Sequence, residues 1–405
     1  MPKQSDISTA QANSGKPPVD LISTAQANSG KPPAHLETSS VRIRTRSERQ
    51  STLDLSASNL FAGSSASSIA PEDGTLVDEF GRVHDDLRIS VTDKCNYRCV
   101  YCMPEDGMEF LARKELLSYE EILQALEVAK SLGIKSVRIS GGEPLMRRNL
   151  MTLVAMISDL GIEDISLTTN GHFLGRQAQD LHKAGLSRVN ISCDSLVPDK
   201  FARIRKGGEL ARVLESADVA QQVGISPVKI NVVVMKGIND DEIEQFCEYG
   251  RRNNRIVRFI EFMPLDAEGK WSFQQVVPGE KIVERVNARW PIEAVDEAGP
   301  SHAPALRYRY LDGMGEIGVI SSVTKPFCGS CNRLRLTADG NLRNCLFARE
   351  ELSIREILRS DSSIEDIQTK LALAFRLAVS TKKAGHGIGS PDFIRPNRSM
   401  SMIGG

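Results

Sequence analysis

No stretch of this 405-residue sequence stays apolar for the roughly 18 residues that a membrane helix needs. Residues 1–30 hold no apolar segment of the kind that marks a secretory leader, so export is not expected. Charge of one sign is missing too: 51 Lys and Arg stand against 52 Asp and Glu, a net of −1. That balance argues against a general nucleic-acid or membrane-surface binder. Without export, thiols stay reduced, so the eight cysteines point to metal or redox chemistry rather than disulfides. The expected location is the cytoplasm, or the mitochondrial matrix if the source is eukaryotic.

Residues 1–75 are poor in aromatics and rich in Ser, Ala, Asn and Pro. ISTAQANSGKPP occurs at 7–18 and again at 22–33. A tandem copy so polar buries no core, and residues 1–80 read as a disordered, low-complexity tail. RIRTRSERQ (42–50) is basic, but Asp6 and Asp20 precede it, and a solvated tail fits better than a targeting signal.

From about residue 85 the pattern alternates. LRISV (87–91), SVRIS (136–140), EDISLTT (163–169), RVNISC (188–193), VKINVVVM (228–235) and VRFIEFM (257–263) read as strands. Helical patterns separate them, the first opened by a Ser118/Glu121 capping box. Six βα units predict an α/β fold with a parallel sheet and right-handed crossovers, whose chemistry gathers at the C-terminal strand ends. After residue 264 the periodicity breaks. PFCGSCNRLRLTADGNLRNCLF (326–347) reads as a cysteine-bearing hairpin, followed by helices near 350–358 and 363–378.

Six of the eight cysteines lie in two tight groups, and each group lacks a fourth member. Cys95, Cys99 and Cys102 follow the first strand at C-x3-C-x2-C spacing; Cys328, Cys331 and Cys345 make C-x2-C-x13-C. A structural zinc wants a fourth Cys or His, and His84 lies before the strand. For the second group, a zinc knuckle completed by His386 is the alternative. A [4Fe–4S] cluster on three thiolates keeps one iron open for another ligand. Cys193 and Cys247 stand outside both groups and read as packing residues. No Ser-His-Asp or paired-carboxylate constellation is evident.

CNYRCVYC resembles the CxxxCxxC signature of the radical S-adenosylmethionine enzymes, and SGGEP (140–144) after the second strand fits the same superfamily. Glycine there would let the backbone approach the cofactor's methionyl amino group. CGSCNRLRLTADGNLRNCL, LRISVTDKCNYRCVYCMP and the terminal IGG resemble the molybdenum cofactor biosynthesis protein A family, the GTP 3′,8-cyclases, over about 85–405. The resemblance implies a partial (βα)6 TIM-like barrel over 81–265. It also implies a C-terminal region, 266–405, that closes the open side and carries a second cluster. The implied cofactors are two [4Fe–4S] clusters, on Cys95, Cys99 and Cys102 and on Cys328, Cys331 and Cys345, together with S-adenosylmethionine held by Tyr101, Gly142, Ser192 and Met263.

The implied substrate is GTP, with a charge near −4 that calls for cations. Arg88 and Arg138 lie on the first two strands, Lys229 begins the fifth, and Arg333 and Arg335 share one face of a strand after Cys331. The resemblance places GTP contacts at Arg88, Arg138, Thr168, Lys229, Arg333, Leu334 and Arg335. Lys236, Arg251, Arg252 and Arg255 read as solvated charges. The implied reaction generates a 5′-deoxyadenosyl radical, abstracts the C3′ hydrogen of GTP and joins C3′ to C8, giving (8S)-3′,8-cyclo-7,8-dihydroguanosine 5′-triphosphate. The second cluster holds the guanine, and the terminal glycines thread into the barrel mouth. Implied partners are an electron donor, a downstream cyclic pyranopterin monophosphate synthase and a second copy in a homodimer; no membrane and no nucleic acid are expected. Two other readings stay open: a peptide-modifying radical enzyme with an auxiliary cluster, and a non-catalytic zinc scaffold.

Overall fold

The computed structural model describes residues 74–295 and 302–404. Most of the expected tail lies outside the described residues. Its last part does not: Leu76 is buried, Val77 bridges Val83, and the Asp78 carboxylate accepts from the Phe80 and Arg82 amides at 3.0 Å. The folded part therefore includes residues 74–80, which the sequence reading had assigned to the tail.

Six parallel strands carry the frame: β1 (Asp86–Ser90), β2 (Ser136–Ser140), β3 (Asp164–Thr169), β4 (Arg188–Ser192), β5 (Val228–Val234) and β6 (Ile256–Glu261). Each is followed by helix: α1 (Tyr119–Ser131), α2 (Leu150–Asp159), α3 (Leu174–Lys183), α4 (Pro198–Arg205) with α5 (Leu210–Gln222), α6 (Ile243–Arg252) and α7 (Gly279–Arg289). Ser118 caps α1 through its hydroxyl and Glu121 returns the bond, the capping box read from the sequence.

Alternation along the strands makes two faces. Leu87 and Ile89, Val137 and Ile139, Ile165 and Leu167, and Val257 and Phe259 are buried in one apolar core with Ile122, Leu126, Leu153 and Ile282 of the helices. Burial of this kind stabilises by roughly 1.5–3 kcal/mol per large side chain. The residues between them, Arg88, Arg138, Ser166, Asn190, Lys229 and Arg258, occupy the other face, the interior of the curved sheet.

The region after 264 adds to the sheet at both edges. β7 (Ile292–Ala294), β8 (Leu306–Tyr310) and β9 (Glu316–Ile320) extend the β6 side, with β9 parallel to β6. β10 (Arg333–Leu336) runs parallel to β1, and β11 (Asn341–Arg343) and β12 (Leu352–Ser353) follow it antiparallel. The described strands thus form one twelve-stranded sheet with two free edges, a partial barrel rather than a closed one. Residues 321–332, which join β9 to β10, lead from one edge of the parallel array to the other. The buried Glu261 carboxylate fixes that segment, accepting from the amides of Val323 (2.7 Å), Thr324 (2.8 Å) and Gly279 (2.8 Å). α8 (Arg355–Leu358), α9 (Ile364–Ser380) and α10 (Met400–Ile403) complete the described chain.

Candidate active site

Beyond Ser90 the chain enters the loop that bears the first three cysteines. The amides of Cys102 and Met103 donate to the Cys99 carbonyl at 2.9 and 3.2 Å, a tight turn. Cys95 Sγ accepts from the Tyr97 amide at 3.4 Å and from Asn170 Nδ2 at 3.8 Å. Burial pushes the Cys95 thiol up to about 11, and the neighbouring Cys99 and Glu143 add to the rise. Cys99 and Cys102 are raised for the same first reason, and Arg205 works against it. Thiols so placed ionise together when metal supplies positive charge. Among the described residues no group of three or more His, Cys, Asp or Glu side chains is gathered closely enough for a single ion. Three thiols on one short loop fit a [4Fe–4S] cluster, which takes one thiolate per iron.

The SGGEP turn locks onto this loop. The Gly142 amide donates to Thr92 O at 2.7 Å and that of Glu143 to Lys94 O at 2.8 Å. A Cβ on Gly142 would stand 2.4 Å from Lys94 O, and one on Gly141 2.5 Å from Thr92 O. What these glycines demonstrably admit is therefore the backbone of the cysteine loop. Glu143 is fully buried; it accepts from Leu145 N, Thr169 Oγ1 (2.8 Å) and Asn170 N (2.7 Å), and burial pushes its carboxyl up to about 6. Tyr101 is anchored elsewhere: its hydroxyl donates to Asp194 Oδ2 at 2.7 Å, and the buried Arg205 bonds Tyr101 Oη, Asp194 Oδ2 and the Ser192 carbonyl. Ser192 thus ends β4 beside the cysteine loop, and Met263 lies half-buried just past β6. Gly142, Ser192 and Met263 stand at or just past C-terminal strand ends, and Tyr101 lies in the loop that follows β1.

The expected substrate residues lie deeper, along the strands. Register places Arg335, Arg88, Arg138 and Ser166 side by side, and Thr168, Asn190 and Lys229 side by side. Arg138 Nε donates to Ser166 Oγ at 3.3 Å, and Asn190 Nδ2 to Thr168 Oγ1 at 3.4 Å. Burial, then repulsion from neighbouring cations, lowers Arg138 to about 9 and Lys229 to about 8; Arg88 falls to about 10 from burial and from Arg333, with Asp86, 3.7 Å away, and Cys331 opposing. Leu334 differs from the expectation. It is fully buried on the apolar face opposite Leu87, so its side chain points away from the arginines.

Arg258 belongs to this interior and was missed. It is buried, donates to Asn231 Oδ1 (2.9 Å) and Asn190 Oδ1 (2.7 Å), and is lowered far by burial and by Arg138 and Arg88. Its signal was the alternation Val257–Arg258–Phe259, an arginine on the face opposite two core residues. Among the described residues, Arg138, Lys229, Arg258, Arg333 and Arg335 have no carboxylate ion pair. Arg255, read as solvated, is buried and bonded to Asp218 and Tyr249.

The second three cysteines line one cavity of about 500 Å³ together with Lys382 and His386. His386 is no spare ligand there: Nε2 donates to Ser322 O at 2.9 Å, and Nδ1 accepts from Ile388 N at 3.1 Å. The three thiols are left without a fourth protein donor from that residue. Burial would raise Cys331, but Lys382 and Arg333 outweigh it and hold the thiol below its ordinary value. Arg333, two residues on, donates to His302 O at 3.1 Å and stacks on Phe327 at 4.7 Å. Cys193 and Cys247 are buried packing residues, as read.

The chain's end occupies the mouth. Ile403 and Gly404 are buried, their carbonyls taken by the Arg335 guanidinium. Gly404 has φ 67, and a Cβ on it would meet Ser140 Oγ at 2.5 Å and Ser90 Cβ at 3.4 Å. Arg335 is therefore engaged by the tail and not free.

Comparison with known proteins shows the family. Residues 89–250 match the radical SAM superfamily and residues 255–388 the Molybdenum Cofactor Synthesis C family. The GTP 3′,8-cyclase of Streptomyces coelicolor is 45% identical over 82% of this chain and 96% of its own. That of Rhodopirellula baltica is 42% identical over 82% and 92%, and that of Listeria welshimeri 43% over 82% and 99%. Among solved structures, Streptococcus suis SuiB bound to S-adenosylmethionine superposes with a TM-score of 0.54 over 79% of this chain and 78% of its own, at 14% identity, a likeness of fold alone. With that identity carried across nearly the whole length of these relatives, and with both cysteine groups and the cationic interior in place, the chain belongs to the GTP 3′,8-cyclase family of the radical S-adenosylmethionine superfamily.

Proposed function

We propose that this protein is a GTP 3′,8-cyclase, a lyase that converts GTP to (8S)-3′,8-cyclo-7,8-dihydroguanosine 5′-triphosphate in the first step of molybdenum cofactor biosynthesis. One observation carries the choice of substrate: interior cations, Arg258 and Arg333 buried and Arg138 and Lys229 half-buried, that have no carboxylate partner among the described residues, in a chain with two three-cysteine groups. Buried charge is costly unless paired, so the interior calls for a polyanion, and a triphosphate meets the planar arginine forks well.

Cys95, Cys99 and Cys102 would hold a [4Fe–4S] cluster, and Tyr101, Gly142, Ser192 and Met263 S-adenosylmethionine. Bound there, that pair supplies the one-electron chemistry that removes a hydrogen atom from C3′ of GTP. Arg88, Arg138, Thr168, Lys229, Arg258 and Arg333 bind the triphosphate and sugar, and Leu334 contributes through its backbone only. Cys328, Cys331 and Cys345 would hold a second [4Fe–4S] cluster whose open iron takes the guanine. Hydrogen-atom removal needs no strong base. The fold from about residue 74 to 265 houses the radical site, residues 266–405 house the second cluster, and no role is assigned to the segment before them. Family membership supports the remaining assignments: a cytoplasmic homodimer, served by an electron donor, that passes product to a cyclic pyranopterin monophosphate synthase.

Anaerobic, cluster-replete protein given GTP, S-adenosylmethionine and dithionite should form 5′-deoxyadenosine and an isomer of GTP with unchanged mass in equal amounts, resolved by chromatography and mass spectrometry. 5′-Deoxyadenosine without any consumption of GTP would refute the substrate assignment.

A further inference from the structure

Lys382 is a buried cation that the proposed reaction does not use. It is 3% exposed. Its ammonium donates to the Arg333 carbonyl at 2.7 Å and to Cys331 Sγ at 3.4 Å. Among the described residues no carboxylate pairs with it. Its neighbours make the position worse for a lone charge. Arg82 and Arg333 are cations, and the buried His84 imidazole, lowered to about 4 first by burial and next by Lys382, stays neutral. A lysine so enclosed has no carboxylate counter-ion among the described residues, and the groups that favour its charge are Cys331 and Cys345.

The surroundings hold it there. Arg82 donates to the carbonyls of Cys328 (2.7 Å), Lys383 (2.8 Å) and Ala384 (3.1 Å), tying the lysine's own segment to the cysteine loop. Asp78 fixes Arg82 from the other side at 2.6 Å. Lys382 also lines the cavity of the three thiols.

We infer that Lys382 is the counter-charge of the C-terminal cluster, a positioning residue that sets the cluster's reduction potential through Cys331. This rests on the reading that Cys328, Cys331 and Cys345 hold a cluster. A reduced cluster carries one more negative charge than the oxidised one, so a fixed cation nearby stabilises the reduced form more. Hydrogen bonds to cluster sulfurs and burial are established determinants of such potentials.

The test uses the full chain with Cys95, Cys99 and Cys102 changed to Ala, so that only the C-terminal site can hold iron. Iron and sulfide are counted first, and the midpoint is then read by potentiometric titration followed by electron paramagnetic resonance. Lys382→Met and Lys382→Gln should shift the midpoint to lower potential, and Lys382→Arg should stay near the parent. Loss of iron from both neutral variants with full retention in Lys382→Arg would support the counter-charge through assembly. A neutral variant with full iron and an unshifted midpoint would overturn the inference. A parent background that binds no iron would instead refute the second cluster, and the inference with it.

Discussion

Among the described residues no hydrogen-bond partner holds the Lys229 ammonium, which sits at about 8, lowered first by burial and then by Arg258, Arg188 and Arg138. An unfolded lysine titrates near 10.4. Between these values the unfolded chain binds the extra proton, so Lys229 makes the ligand-free fold more stable as pH rises from about 8 toward 10. A bound triphosphate reverses the sign by favouring the charged form. GTP affinity should therefore fall as pH rises through about 8, and more steeply in the parent than in Lys229→Met; calorimetric titration at several pH values reads the difference, and equal slopes would contradict the contact. Arg258→Ala should weaken GTP about ten- to a hundredfold, the worth of one charge-assisted bond of roughly 1.5–3 kcal/mol. Arg252→Ala, on the exposed face of α6, should bind normally. Arg258 and Arg255 look alike in the sequence, three residues apart. Arg258 alternates with Val257 and Phe259 inside β6, whereas Arg255 precedes the strand and turns to Asp218, so the strand's first residue decides which of the two faces the interior.

The C-terminal turn α10 is an element whose position, not composition, matters. Gly404, which caps it, lies in left-handed backbone against the ends of β1 and β2, where a side chain has no room. Gly404→Val should expel the tail and free Arg335. Turnover should be largely lost while GTP affinity changes by less than about tenfold, because Arg138, Lys229 and Arg258 remain. Turnover that survives unchanged would show that the mouth needs no plug. At this scale the sequence was readable where periodicity was strong. The strands β1 to β6 lie within about two residues of their expected bounds, since arginine or serine alternates with Val, Ile and Leu. β9 and α7 were not read: α7 carries few apolar residues, Ile282 and Val286 among them, in a densely charged helix. The pairing of β1 with β10 joins residues 86 and 333, and no local pattern encodes a contact that distant.

At the scale of the molecule the sheet is a trough with two chemistries at two depths. The proposed cofactor residues lie at or beyond the C-terminal strand ends and cations along the strands below, while residues 321–332 carry Cys328 and Cys331 across from β9 to β10. The cysteine groups were legible because their spacing is local; that they serve one interior is what the family resemblance implies. The central claim is that this interior presents the ribose of GTP to a hydrogen-abstracting radical. GTP deuterated at C3′, turned over anaerobically with unlabelled S-adenosylmethionine, tests it most directly. The account predicts 5′-deoxyadenosine one mass unit heavier and a cyclised product that has lost the label; unlabelled 5′-deoxyadenosine with deuterium kept in the nucleotide would contradict it.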